Sequence, residues 1–168
     1  MYKIGITERG DPACSDVWDM KLRYNRYDGA VIITKDFHKI QKQIWKLFHD
    51  VPLLPIIIHA TITGYGGTKL EPNVPKPYIN FAALSEFIRR CDFQSNNAAS
   101  IVLRVDPIIP TRKGIETAKS MIEMGYAIGI RRFRISMIDM YKHVIQRFRA
   151  LDYPMEITFS LQKSMQKL

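Results

Sequence analysis

The sequence predicts an α/β domain of parallel strands arranged as a partial (β/α)6 barrel, a single unit over residues 1–168. Three observations predict it. Six short apolar or β-branched runs alternate with segments of helical apolar spacing, and strands joined through helices pair in parallel with right-handed crossovers. Polar residues gather just past successive strand ends, the edge where parallel α/β folds bind ligands. That clustering recurs at five strand ends, which favours one central site on a barrel-like face over the crevice of an open doubly wound sheet. The length of 168 residues is that of one domain.

Tyr2 to Thr7 reads as the first strand. Ser15 then caps a helix to about Tyr24, with Val17, Met20 and Tyr24 on one face. Ala30 to Thr34 is an all-apolar second strand, as expected when both faces are covered. Asp36 caps a helix whose inner positions are Phe37, Ile40, Ile44, Leu47 and Phe48. Pro55 to Thr63 forms the third strand, and a Gly- and Pro-rich loop follows over Gly64 to Tyr78. Asn80 caps the third helix, with Leu84, Phe87, Ile88 and Cys91 inward. Ser100 to Val105 is the fourth strand. Thr111 begins a helix with Ile115, Ala118 and Ile122 inward and Gly125 as its stop. Ile130 to Ile138 is the fifth strand, and Asp139 caps a helix with Tyr141, Val144, Ile145 and Phe148 on one stripe. Met155 to Leu161 is the sixth strand, followed by a basic tail.

With 46% hydrophobic and 24% charged residues, the chain can pack a core and is not of the disordered class. The longest apolar run, Val51 to Ile58, holds two prolines and is too short to span a membrane. The start, MYKIGITERG, lacks the apolar core of a signal peptide. Cys14 and Cys91, widely separated, form neither a disulfide framework nor a metal-ligand spacing, and read as reduced thiols in the cytoplasm. A formal charge of +9 favours a polyanionic partner, nucleic acid or a nucleotide.

The candidate site residues lie at the strand ends. Gly64, Gly66 and Gly67 either offer backbone N–H groups to a phosphate or carboxylate or serve a tight turn. Tyr65, between glycines, is expected to be exposed, stacking on a base or covering the barrel mouth. His59 is a candidate acid–base or ligand-contacting group, with Thr61 and Thr63 on its face of the strand. Arg104 is placed to pair with a phosphate or carboxylate, and Asp106 to orient it or act in catalysis. Glu8, Arg9 and Asp11 form a second charged group, with Glu8 a candidate catalytic carboxylate and Arg9 and Asp11 candidate ligand contacts, and Lys35 at the second strand end is either a phosphate contact or a solvated lysine at a helix start. Glu8, Asp11, Asp106 and Asp139 are the carboxylates that a divalent ion would use, although each is also placed as a helix cap or pair partner, and no metal site is assigned. Glu71 and Asn73 either close over the pocket or peg the loop to the rim, and the length of the loop favours pegging. Arg131, Arg132 and Arg134 start the fifth strand, at the end opposite the site, and Arg131 and Arg132 are expected as a solvated patch with a nucleic-acid backbone contact as the alternative. Met137 and Met140 are expected in the core.

The segments GITERGDPA, GAVIITK, HATITGYGGTKLEPNVP, LRVDPIIPT and ISMIDMYK occur in that order. Together they resemble an uncharacterised bacterial and phage family related to the radical S-adenosylmethionine enzymes, over about Ile4 to Tyr141. TGYG…LEPNVP is the specific part. The resemblance implies a partial barrel, S-adenosylmethionine as cofactor, and a cysteine cluster holding a four-iron centre. No CxxxCxxC occurs in the sequence, so the iron–sulfur centre is not expected on this chain alone. Three readings then stand side by side: a cysteine-cluster partner polypeptide, a shortened form that lost the chemistry, or a pocket kept for binding only. The expected function is a shortened radical-S-adenosylmethionine-like barrel protein that binds an anionic nucleotide-like ligand at its C-terminal strand ends. The alternatives are a non-catalytic phage-type nucleic-acid or nucleoprotein-binding factor, and a metal-dependent hydrolase using the strand-end carboxylates.

Overall fold

The computed structural model describes residues 2–7, 10–93 and 100–153. Five strands form one all-parallel sheet in the sequential order β1 (Ile4–Ile6), β2 (Gly29–Thr34), β3 (Ile56–Thr61), β4 (Ser100–Ile108) and β5 (Phe133–Met137). Among the described residues β1 and β5 do not pair with each other, so the sheet is open and does not close into a barrel. The expected sixth strand lies outside the described residues, as do Glu8 and Arg9.

The helices are α1 (Met20–Tyr24), α2 (Phe37–Asp50), α3 (Pro77–Phe93), α4 (Arg112–Ala127) and α5 (Lys142–Ala150). Each step between strands moves one place in the same direction, and right-handed crossovers of that kind put successive helices on one face. Consistently, α3 packs against both α2 and α4. Side chains alternate between the faces of a strand, and residues in register on parallel neighbours share a face. Ala30 and Ile32 on β2, Ile56, Ile58 and Ala60 on β3, and Leu103 and Val105 on β4 therefore face the helices, and all are buried. They meet Phe37, Ile40, Ile44 and Leu47 of α2 and Leu84 and Phe87 of α3. The expected inner stripe of α2 is buried, and Asp36 caps it by accepting from Lys39 N at 3.0 Å.

Several elements differ from expectation for local reasons. Instead of one helix from Ser15, a 3-10 turn at Pro12–Cys14 is capped by Asp11, and α1 is only five residues long. Val17, Met20 and Tyr24 are exposed, while Trp18 and Leu22 turn to the core. Asn80 is not a cap of α3, which starts at Pro77. Its buried side chain accepts from His38 N at 3.1 Å and donates to Lys35 O at 2.8 Å, so it satisfies a free donor at the start of α2. Gly125 does not end α4. It lies within the helix, where a Cβ would approach Leu103 Cδ2 to 2.6 Å. The stop is Gly129, at φ 100°. Asp139 does not cap α5, whose N-cap is Tyr141, and that tyrosine is exposed. Met137 packs on the main core and Met140 on a smaller cluster around Tyr65, Ile109 and Phe148.

Candidate functional site

The other face of the sheet carries no described helix and is exposed at its two edge strands, while Thr61 and Val102 at its centre are buried. Ile4 and Ile6 are exposed at 50% and 56%, and Arg134 and Ser136 are exposed. Toward the C-terminal strand ends this face turns polar, with His59 and Thr61 on β3, Arg104 and Asp106 on β4, and Arg134 and Ser136 on β5. Register sets Thr61 beside Arg104, and Arg104 beside Arg134. Above them a cavity of about 310 Å³ is lined by Thr7, Asp11, Lys35, Thr61, Arg104 and Asp106 among others. The structure thus brings Asp11, Lys35, Arg104 and Asp106 to one place, with His59 one layer below.

These side chains are not equally free. Asp11 is consumed by the chain: it accepts from Ala13 N at 2.9 Å, Thr34 Oγ1 at 2.7 Å and Lys35 N at 2.6 Å. It pegs the β1 loop to the end of β2. The Lys35 ammonium is paired with Glu71, whose other oxygen accepts from Thr63 Oγ1. Glu71 therefore pegs the long loop to the rim, as expected, and in doing so occupies Lys35. Asn73 is exposed.

Arg104 donates through Nη2 to Asp106, and Ser136 donates to the other Asp106 oxygen. Burial alone pushes the Asp106 carboxyl up, but the Ser136 hydroxyl and the Arg104 guanidinium outweigh it, with Arg134 nearby. The carboxyl is held below its ordinary value of 3.8. The Arg104 Nε is buried and has no partner, and the same is true of His59 Nδ1. Burial, together with Arg104, Arg134 and Arg132, pushes the His59 imidazole below 6.5, so the ring is neutral near pH 7.

Arg134 lies nearer the site than expected. It does sit at the start of its strand, but β5 spans only Phe133–Met137 and its register sets Arg134 beside Arg104. The two-residue alternation Arg132, Arg134, Ser136 was visible in the sequence, but the register against β4 was not. Ser136, missed as a partner of Asp106, depends on the same register. Arg131 instead lies over the Tyr126 ring at 4.1 Å and donates to Tyr126 O at 2.8 Å.

The glycine turn is also reassigned. Tyr65 is buried, not exposed: its ring meets Tyr153 edge-on at 6.3 Å, and the two hydroxyls are 3.3 Å apart. Its amide donates to Thr63 Oγ1 at 3.2 Å, and the Gly67 amide donates to Glu71 O at 3.0 Å. A Cβ on Gly66 would fall 2.1 Å from Pro75 O. Gly64 has φ 89° and a Cβ there would meet Thr117 Cγ2 at 2.3 Å. Packing and turn geometry explain these glycines, and the Tyr65 and Gly67 amides are spent within the loop. Gly64 and Tyr65 line a separate cavity of about 320 Å³ with Lys69, Lys113, Thr117 and Tyr153.

A four-iron centre is held by thiolates, commonly four. The sequence has two cysteines, Cys14 exposed at the end of the 3-10 turn and Cys91 half-buried on α3. These residues do not fit such a cluster. Among the described residues no three His, Cys, Asp or Glu side chains gather as metal ligands, and no helix is long and apolar enough to cross a membrane.

No curated protein and no solved structure matches the chain. A family model described as "Domain of unknown function (DUF1848)" matches residues 3–168, and the chain belongs to that family.

Proposed function

We propose that the protein binds an anionic, nucleotide-like ligand on the open sheet face at the C-terminal strand ends, in the manner of a radical-S-adenosylmethionine-type partial barrel. Arg104 is the principal anion contact, Asp106 orients it, and Arg134 adds charge from the neighbouring strand. The observation that carries this reading is the Arg104 guanidinium, whose buried Nε has no partner in a cationic neighbourhood. A buried polar group left unsatisfied costs about 1–3 kcal/mol, and a ligand oxygen removes that cost. The adjoining cavity of about 310 Å³ falls at the small end of ligand pockets, which run from about 300 to 1,000 Å³. The sequential strand order and the TGYG…LEPNVP resemblance support the barrel type and the nucleotide-like class. Lys35, being paired with Glu71, is a weaker contact than its position suggested. Any iron–sulfur chemistry would need thiolates beyond Cys14 and Cys91.

The test is calorimetric titration with S-adenosylmethionine, AMP and ATP, on wild type and Arg104→Met. Binding of one of them, weakened about tenfold or more in the variant, is expected from loss of a charged hydrogen bond of about 1.5–3 kcal/mol. Absence of binding by all three, or equal binding by the variant, refutes the reading. A non-catalytic nucleic-acid-binding factor is the second reading, favoured by the +9 charge. It requires DNA or RNA binding that weakens steeply with salt.

A further inference from the structure

We propose that the cavity of about 320 Å³ beside the loop after β3 is a second ligand site, and that it takes a small aromatic carboxylic acid. The site uses none of the strand-end residues around Arg104, and it stands or falls apart from the reading given for them.

Three stretches of chain build the cavity: the loop from Gly64 to Leu70, the first turns of α4, and the turn after α5. Gly64, at φ 89°, lets the loop lie on α4, since a Cβ there would meet Thr117 Cγ2 at 2.3 Å and Met121 Cγ at 3.4 Å. Lys113 and Thr117 are about one helical turn apart and share a face of α4. Past α5, Asp152 takes a left-handed φ of 51°, and the Tyr153 amide donates back to Phe148 O at 3.0 Å. The Tyr153 ring lies 5.4 Å from that of Phe148 and meets Tyr65 edge-on at 6.3 Å. These contacts hold the walls in place before any ligand arrives, which lowers the ordering cost of binding.

The lining divides into an apolar part and a charged part. Tyr65, Tyr153, Leu70 and Leu151 supply aromatic and aliphatic surface, and aromatic side chains take a further ring edge-on or offset. Lys69 and Lys113 bring two exposed ammonium groups, and among the described residues neither is ion-paired. Asp152 is the carboxylate among the lining residues. Glu71, on the same loop, is bonded to Lys35 and Thr63 instead. Two cations against one carboxylate leave the cavity with a net positive charge.

The hydroxyl groups add a donor. Thr117 Oγ1 donates to Lys113 O at 2.8 Å, so toward other groups it can only accept. Tyr65 and Tyr153 hold two phenol protons and share one bond, at 3.3 Å. The second proton is left for Thr117 or for a ligand oxygen. Burial, with Tyr153 beside it, pushes the Tyr65 phenol above its ordinary value of 10.0, so it keeps its proton at neutral pH.

This chemistry selects the ligand class. The volume lies at the small end of ligand pockets, which start at about 300 Å³, and suits one ring with a short substituent. An inorganic anion would leave the aromatic lining unused, and a neutral ring would leave both ammonium groups unpaired. An aromatic carboxylate engages both.

Benzoate is the probe, with benzyl alcohol as its neutral analogue and cyclohexanecarboxylate as the acid without an aromatic ring. Affinities and contact positions are read together from NMR titrations of backbone amides, on wild type, Lys69→Met and Lys113→Met. Both lysines are exposed, so neither replacement disturbs the core. Benzoate is expected to bind and to shift the amides of Tyr65, Thr68, Thr117 and Tyr153. Each variant should bind it about two- to fivefold more weakly, as the loss of a partly exposed ion pair implies. Benzyl alcohol and cyclohexanecarboxylate should both bind more weakly than benzoate. Shifts gathered around Arg104 instead, or full affinity in both variants, would overturn the placement of the site. Equal binding of benzyl alcohol or of cyclohexanecarboxylate would overturn the ligand class. No binding of benzoate at all would overturn the proposal and leave the strand-end anion site untouched.

Discussion

Gly66→Ala separates a packing glycine from a ligand-binding one. The added methyl would lie 2.1 Å from Pro75 O, 3.0 Å from Pro75 C and 3.3 Å from Val74 Cγ1. The first contact is with backbone, so it cannot be relieved by turning a side chain. The Val74–Pro75 segment must move. It belongs to the loop pinned by Gly67 N to Glu71 O and by Val74 N to Glu71 O, at 3.0 and 3.3 Å. That loop carries Glu71, the partner of Lys35 and Thr63. Overpacking of this kind costs about 1–3 kcal/mol. For a chain of this size, about 2 kcal/mol lowers the unfolding midpoint by roughly 4–8 °C. The assay is thermal unfolding followed by circular dichroism, with calorimetric anion binding alongside. A lowered midpoint with anion affinity retained at low temperature supports the packing role. An unchanged midpoint together with lost anion binding would refute the reasoning and return the glycine turn to the ligand.

Phe87 is fully buried, with Phe37 edge-on at 5.2 Å and Trp45 at 4.7 Å. Phe87→Ala should cost about 3–5 kcal/mol by urea unfolding, and a loss below about 1 kcal/mol would show that this core is not packed as described. Glu71→Ala leaves the buried Thr63 hydroxyl without its acceptor and frees Lys35. It should lower stability by about 1–3 kcal/mol and tighten sulfate binding, and weaker sulfate binding would contradict the present account of Lys35. The Asp106 carboxyl is held below 3.8 in the folded protein. Its stabilisation is therefore present above that pH and lost as pH falls through the folded value. Asp106→Asn should flatten the acid limb of the urea midpoint profile, and an unaltered acid limb would count against the Ser136 and Arg104 bonds. His59, titrating below 6.5 when folded, lowers stability as pH falls from that value, because the unfolded chain then binds more protons. His59→Gln should remove that early part of the loss, and an identical profile would argue against a neutral, half-buried ring.

Local pattern made much of this legible. The α2 stripe from Phe37 to Phe48, the Asp36 cap and the helix start at Thr111 depend on spacing and side-chain reach, and each is found where the sequence put it. Arg104 and Asp106 were readable as one face of one strand, because alternation is a local property. Glu71 could be read as a loop anchor, but not that its anchorage would occupy Lys35, since those residues are brought together only by the β2 and β3 ends.

What the sequence by itself determined, then, is the alternation of parallel strands with helices and the polar character of the strand ends, since periodicity and capping act within a few residues. Only the tertiary structure decided that the sheet is open among the described residues and that Tyr65 is buried against Tyr153. The same holds for the placing of Arg134 and Ser136 beside Arg104 and Asp106. These facts depend on strand register and on packing between distant segments. A shift of one residue would carry every side chain of β5 to the other face, and nothing in the chain's local pattern fixes that choice.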